Sequence, residues 1–411
     1  MEIRPIFSAL LRNKTGAILV AVQVAISMAI LANALHIVNV RQAVQARPSG
    51  IADESTVLHL TIRNLTRGGH EEQLATQKRE ADTLRAVSGV ISVAQVSQIP
   101  LSDNGSTNSV SVDRKQVNST ADASFYVTPD SLVKTWGLKL VEGRDFAPAD
   151  VMEIDQQAST AFPDKVIVTR ALAEKMFPGA ASVVGKVMYF GTGEGANEVR
   201  IIGVVERLQS QGAQVAIESE YSTIVPVRLS GNIVNVYTIR TEPGQLERVA
   251  REAEAALRAA SATPVIVKTK TMDATRRDRY KGDRTMSWML VVVSGLLLLI
   301  TASGIVGIAS LWVTQRRKQI GVRRALGARK VDILRYFLTE NFMITTAGIV
   351  AGVLMAIGLN QLLVTKLEMD RLPIAYLVAG SCVFWALGVL AVYGPAWRAA
   401  SISPALATRS A

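Results

Sequence analysis

Side chains able to do chemistry are sparse in this chain of 411 residues. It holds three histidines, His36, His59 and His70, and a single cysteine, Cys382. Zinc sites draw on clusters of Cys and His, and no such cluster can be assembled from these positions. General-base catalysis lacks material for the same reason. One cysteine also excludes an internal disulfide framework. The nearest approach to a phosphate-binding loop is Gly179-Ala-Ala-Ser-Val-Val-Gly185-Lys186-Val187. Its glycines stand one residue too far apart, and Val187 sits where a hydroxyl should reach magnesium. Carboxylates of the central region are scattered singly among a nearly equal number of basic residues, the pattern of a solvated surface. The sequence therefore predicts no catalytic residue, and no cofactor or metal bound by this chain.

Charge gives the first positive information. The net charge is +11, which could signal nucleic acid, so its placement matters. Residues 1–15 hold Arg4, Arg12 and Lys14 against Glu2, and the end of the chain adds Arg398 and Arg409. Residues 314–336 hold eight Lys/Arg against Asp332, whereas 41–284 holds 30 basic and 29 acidic residues. The excess is confined to short segments beside apolar runs. That is the signature of membrane topology, and it excludes a nucleic-acid surface.

The elements that must position these segments are transmembrane helices. Four apolar stretches reach the about 20 residues needed to span a bilayer, over 16–40, 285–313, 339–364 and 374–395. Basic segments on the inside give a cytoplasmic N-terminus, a large external region over 41–284, and a cytoplasmic loop over 314–338. A short external loop over 365–373 and a cytoplasmic tail over 396–411 complete the path. Ala32-Asn33-Ala34 has the form of a signal-peptide cleavage site, but about 17 apolar-dominated residues precede it. That exceeds the usual 7–15, so the first span reads as a retained anchor. Before it, Ile3, Ile6, Phe7 and Leu10 recur at helical spacing beside basic residues. Residues 1–15 therefore read as an amphipathic helix on the lipid surface.

The external region alternates strand and helix patterns. VLHLTI (57–62), a polar helix over 70–87 and GVISVAQV (89–96) open it; IVNVYTI (233–239), a helix over 243–260 and TPVIVKT (263–269) close it. Two β-α-β units flanking an insert over about 105–230 predict one split α+β subdomain with a second subdomain inserted. The fold class is a membrane protein with four transmembrane α-helices and a large α+β external domain. The polar stretch 271–284 reads as an outward stalk continuing the second span.

Polar groups inside the spans face other helices or cavities. Gln23 and Ser27 share one face of the first span, with Asn33 and His36 further along. Ser303 with Gly307, and Gly348 with Gly352, stand four apart, which permits close helix approach. The remaining candidate is the basic loop QRRKQIGVRRALGARKVDILRYFLTEN (315–341). Arg316, Arg317, Arg323 and Arg324 alternate with apolar knobs at Ile320, Leu326, Ile333 and Leu334. Gly321 and Gly327 permit a turn or a close approach. A short helix offering apolar side chains to the cytosol suits docking into a partner's groove.

At this loop the sequence resembles the permeases of the MacB/FtsX family of ABC transporters. Their E-I-G-V-R-R-A-L-G-A motif corresponds to Gln319 followed by Ile320-Gly321-Val322-Arg323-Arg324-Ala325-Leu326-Gly327-Ala328. YVTPDSLVKTWGLKLVEGRDFAPAD (126–150), VIVTRALAEKMFPGA with VVGK (166–186), and GPAWRAASISPALATR (394–409) resemble further family segments in the same order. The resemblance implies a bacterial inner-membrane permease with a MacB-like periplasmic core made of a porter-like subdomain and an insert. It implies that the loop binds a separate ABC ATPase, which uses ATP and magnesium, and that a second permease copy is present. A periplasmic adaptor is implied for an efflux or export system. The MacB proteins carry their ATPase ahead of the first span, so the expectation here is an ATPase on another polypeptide. The family acid at 319 is glutamine, which fits either a heterodimer whose other permease keeps the acid or a tolerated substitution. The alternative function is mechanotransmission to a periplasmic enzyme or lipoprotein carrier; a membrane sensor fits less well, given the third and fourth spans.

Overall fold

The computed structural model describes residues 14–66, 68–212, 217–367 and 370–401. The surface helix expected over 1–15 and most of the tail expected over 396–411 lie outside the described residues. The chain divides into two compact units, one from residues 1–42 and 283–411, the other from 43–282.

The first unit is built on four helices long and apolar enough to cross a membrane. They are α1 (Lys14–Gln45), α7 (Lys281–Gln315), α9 (Lys330–Leu367) and α10 (Ile374–Ala400), with the short α8 (Arg317–Ala325) between α7 and α9. Every backbone group in a bilayer needs an internal partner, and continuous helices supply it. The helices run beyond the apolar stretches at several ends; α1, for example, continues through Gln45. Val24 and Met28 of α1, Ile305 and Trp312 of α7, Ile344 and Ile349 of α9, and Phe384 and Val392 of α10 form one apolar core. The hydrophobic stretch of α1 is 56% buried, against 17% for α7, so α1 is the central helix of the unit.

The second unit holds two sheets. β1 (Val57–Asn64), α2 (His70–Arg85) and β2 (Val90–Gln95) come first, and β11 (Val234–Thr241), α5 (Leu246–Ala260) and β12 (Val265–Thr271) come last. Their strands interleave in the order β12-β1-β11-β2. β1 pairs antiparallel with both late strands, Leu60 facing Tyr237 on one side and Thr269 on the other. This is the split subdomain expected from the repeated β-α-β pattern. Its helices cover one face, where Leu58, Leu60, Leu84, Tyr237, Val249 and Leu257 are buried together.

The insert carries β3 (Thr107–Ser111), β4 (Ala121–Thr128), the one-turn α3 (Leu132–Trp136), β5 (Leu140–Gly143) and β6 (Met152–Asp155). Then come β7 (Lys165–Thr169), α4 (Arg170–Met176), β8 (Val187–Phe190), β9 (Asn197–Val205) and β10 (Ser222–Ser230). The strand path β4-β3-β8-β9-β7-β10 returns to its start, because the first half of β10 also pairs with β4. Closure removes two free edges, leaving β5 on β9 and β6 on the far half of β10. A seam of buried side chains joins the ring to the interleaved sheet: Tyr126 packs edge-on to Trp136, whose indole N–H donates to Thr238 Oγ1 at 2.7 Å.

The expected stalk over 271–284 is not a plain extension of the second span. α6 (Met272–Arg279) is a separate helix capped by Thr271, and the chain leaves helical geometry at Tyr280. Tyr280 is fully buried beside Val44 and Leu101, which holds its backbone in the break. Within the same unit Arg276 of α6 makes a fork to Glu54, Nε to Oε2 at 2.8 Å and Nη2 to Oε1 at 2.6 Å. Its Nη1 donates to the carbonyls of Gln45 and Arg47 at 2.9 and 3.2 Å, capping the last turn of α1. Burial pushes the carboxyl pKa of Glu54 up, but the Arg276 guanidinium and the bonds from Ser49 together outweigh it and leave the pKa lowered.

Candidate functional site

The basic loop folds as a helical elbow. α8 begins right after Arg316, whose Nη1 donates to both carboxylate oxygens of Glu340 on α9, at 2.8 and 3.0 Å. Glu340 is 1% exposed, deep in the packing of the third span. Intramembrane carboxylates need such a partner. The guanidinium of Arg316 also lies 5.8 Å from the Trp312 ring, and that of Arg323 lies 5.3 Å from the Tyr336 ring. Arg316, Gln319, Ile320, Arg323 and Tyr336 surround a small cleft of about 30 Å³ beneath the elbow. The amide of Gln319 thus sits beside two arginines where a family carboxylate would carry charge.

Past the end of α8 stands Gly327, whose φ of +99° is one that L side chains rarely adopt. Ala328 N donates to Arg323 O at 3.1 Å and Leu326 N to Val322 O at 3.0 Å, closing the last turn. The next helix starts with Asp332 accepting from Arg329 N at 3.0 Å, half of a capping box. Leu326 is left at the turn 83% exposed.

This arrangement corrects the expectation for the apolar knobs. Ile320 and Ile333 are buried and Leu334 is half-buried, all in the core with Ala396, Ala399 and Ala400 of α10. Gly321 is buried as well. A nine-residue helix cannot bury its own apolar side, so the end of α10 covers it. The side chains left facing outward are Arg317, Lys318, Gln319, Val322, Arg323, Ala325 and Leu326, with Val331 beyond the turn; Arg324 and Ala328 are half-buried. Val331, Tyr336 and Glu340 were not singled out from the sequence, and Val322 entered only as part of the matched motif. Only Glu340 left a signal there, a lone carboxylate inside an apolar stretch.

The intramembrane residues converge on α1. The Gln23 side chain lies against Gly304 of α7, where an added Cβ would fall 2.4 Å from its Oε1. Ser27 Oγ and Thr301 Oγ1 are 2.9 Å apart. Asn33 donates to the carbonyls of Ala29 and, across to α9, Ala356, at 2.9 and 3.1 Å. His36 Nε2 lies 3.3 Å from the Asp370 carbonyl and its ring stacks edge-on to Tyr376. Gly348 and Gly352 both press on α1: an added Cβ would meet Ala21 O at 2.7 Å and Met28 Cβ at 2.8 Å respectively. Ser303 and Gly307 do otherwise. Both are exposed, and Gly304, one position away, makes the close contact. Equal spacing could not reveal which glycine turns inward.

Elsewhere the chemistry stays structural. The segment 179–187 is a turn with positive φ at Gly179 and Gly185, and Lys186 rests its ammonium 4.8 Å from the Phe177 ring. His59 is buried in β1; burial and then Lys270 hold its pKa down to about 4, so it stays neutral. His70 Nδ1 lies 2.7 Å from Ser230 Oγ. Among the described residues no three His, Cys, Asp or Glu side chains gather as a metal site.

Four spans, a cytosol-type basic elbow and a split α+β domain define a permease-type membrane protein with a large extramembrane domain. The model of the MacB-like periplasmic core domain matches residues 21–268, and that of the FtsX-like permease C-terminal matches 291–404. The chain belongs to the MacB/FtsX family of ABC transporter permeases, as its resemblance at the elbow implied. Permeases of this family work with ATPase partners. Macrolide export ATP-binding/permease protein MacB of Agrobacterium fabrum is 29% identical over 72% of this chain and 45% of that protein. MacB 2 of Aeromonas hydrophila is 29% identical over 70% of this chain and 43% of that protein. The chain thus spans less than half the length of these relatives. Among solved structures, the extracellular domain of the ABC-type transporter YknZ from Gram-positive bacteria aligns with 52% of this chain and 100% of its own, at 16% identity and a TM-score of 0.33. A domain of a Porphyromonas gingivalis permease protein aligns at 14% identity over 53% of this chain and 91% of its own, with a TM-score of 0.33.

Proposed function

We propose that this chain is the permease subunit of an export system in the bacterial inner membrane, its α+β domain in the periplasm. A separate ATPase polypeptide docks on the elbow, and its ATP hydrolysis, with magnesium, drives movement of the spans and the external domain. Two permease copies assemble around two ATPases, and a periplasmic adaptor receives the external domain. Leu326 carries this reading: it stands exposed among arginines on a helix braced from behind by the Arg316–Glu340 pair. An apolar anchor ringed by cations suits a groove with an acidic rim. Export, rather than mechanotransmission, is supported by the export function that the MacB relatives are named for and by the full-sized periplasmic core.

The test is purification of the tagged chain from its native membrane in gentle detergent, with identification of co-purifying polypeptides and assay of ATP hydrolysis. A P-loop ATPase that remains with wild type and is lost in Leu326→Asp, at equal membrane insertion, is the expected result. Gly327→Pro should lose it too, because proline cannot adopt the positive φ of that position. Retention of ATPase and of its rate in both variants would sink the docking assignment. An ATPase accompanied by a wall hydrolase and no adaptor would favour mechanotransmission.

A further inference from the structure

Among the described residues, two other than glycine hold a positive φ, and both lie in the loop between β2 and β3: Leu101 at +63° and Asp103 at +60°. The left-handed region is costly for an L side chain, and aspartate visits it more readily than leucine. A bulky residue held there is an outlier. It persists only where the surroundings force it, and Leu101 is fully buried.

The forcing contacts can be named. Gln98 Oε1 accepts from Ser106 N at 2.7 Å, which closes the neck of the loop. Leu101 N donates to Ser210 O at 3.2 Å and Asp103 N to Gln211 O at 3.0 Å, pinning its middle. So held, the Leu101 side chain packs with Val44, in the last turn of α1, and with Tyr280, immediately before α7. Arg279, the last residue of α6, donates from Nε to Gly212 O at 3.0 Å, and the same nitrogen lies 3.8 Å from Asp103 Oδ1. The strained loop therefore meets the chain where α6 stops and α7 starts.

The break between those helices is a single residue. Tyr280 has φ −95° and ψ 8°, about 30° and 50° from helical values. We propose that Leu101 is the wedge of a two-state clasp: seated, it keeps α6 and α7 as two helices, and withdrawn, it lets Tyr280 turn helical and join them into one. The seated state buries Leu101 and Tyr280 but carries strain at two residues. Release relieves that strain and adds helical bonds. The amides of Gly282 and Asp283 stand in the first turn of α7, where a helix supplies no acceptor of its own. In a joined helix they donate to the carbonyls of Asp278 and Arg279. Packed elements with opposed terms of this kind hold discrete arrangements and switch between them.

The experiment is amide hydrogen exchange, read by mass spectrometry on the full chain in detergent. Leu101→Ala keeps the strained backbone and shortens the wedge. Amides of residues 101–103 should then exchange roughly tenfold faster than in wild type, and those of Gly282 and Asp283 about threefold slower. Plain local unfolding would speed both segments. That result, or an unchanged rate at Gly282 and Asp283, would overturn the proposal. Asp103→Gly acts in the opposite direction, since it relieves a positive φ and removes a side chain that is 73% exposed. The Leu101 amide should exchange about threefold more slowly in this variant. An equal or faster rate there would also overturn the clasp, because strain would then not act on its seat. The readout involves no ATPase, so it succeeds or fails independently of the export reading.

Discussion

Two arginine–glutamate pairs, one in each unit, resemble each other in composition and differ in construction. The arginine side chains of both are 18% exposed, but Glu54 is 20% exposed and Glu340 only 1%. Arg276 uses all three guanidinium nitrogens, two on Glu54 and the third on two backbone carbonyls. Arg316 reaches Glu340 through Nη1 alone. The Arg276 pair is a geometric clamp, which depends on the planar fork and fixes where the chain leaves α1. The Arg316 pair is a charge balance, which makes a carboxylate tolerable among apolar side chains and ties α8 to α9. Geometry is lost by changing shape, and balance by removing charge.

Glu340→Ala should therefore have the largest effect. It leaves Arg316 without its counter-charge, a loss of about 3–5 kcal/mol for a buried pair, read by denaturation of the detergent-solubilised chain. A loss under about 1 kcal/mol, the range of exposed pairs, would erase the distinction. Lysine substitution sharpens it, since an ammonium is a point charge without a fork. Arg276→Lys should cost about 1–3 kcal/mol, the worth of charge-assisted bonds. Arg316→Lys should cost less than Arg276→Lys in the same assay, and the reverse order would refute the two descriptions. Acid gives the smallest effect. The folded-state pKa of Glu54 is lowered, so its contribution is present above the unfolded value near 4.5 and fades as pH falls through the folded value. The difference in unfolding midpoint between wild type and Glu54→Gln should be constant above that pH and shrink below it. Measuring against this variant cancels the titration of His59, which weakens stability as pH falls from about 6.5 towards 4.

Much of the architecture was legible because it is written in long runs. The four spans follow from long, predominantly apolar stretches, and the interleaved sheet from two copies of one β-α-β pattern. The elbow was legible as a place, since arginines beside an apolar run have few other meanings. Which of its side chains point outward was not. Ile320 and Leu326 are alike in the sequence, and the difference between 5% and 83% exposure is set by alanines of α10 about 75 residues away. Ser303–Gly307 and Gly348–Gly352 share one spacing, yet only the second meets α1. Ring closure in the insert was hidden for the same reason: β10 pairs with β4 from across the subdomain, and no local pattern encodes that.

The interleaved sheet also has a consequence in time. β1 is synthesised early, but both of its neighbours, β11 and β12, lie some 170 residues or more downstream. At about 5–20 residues per second, it spends on the order of ten seconds as an unpaired apolar strand. The ring between has all its strands within 107–230 and can close first. The order of synthesis thus makes the insert an early folding unit, and it leaves β1 as the segment that a chaperone of the nascent chain must shield.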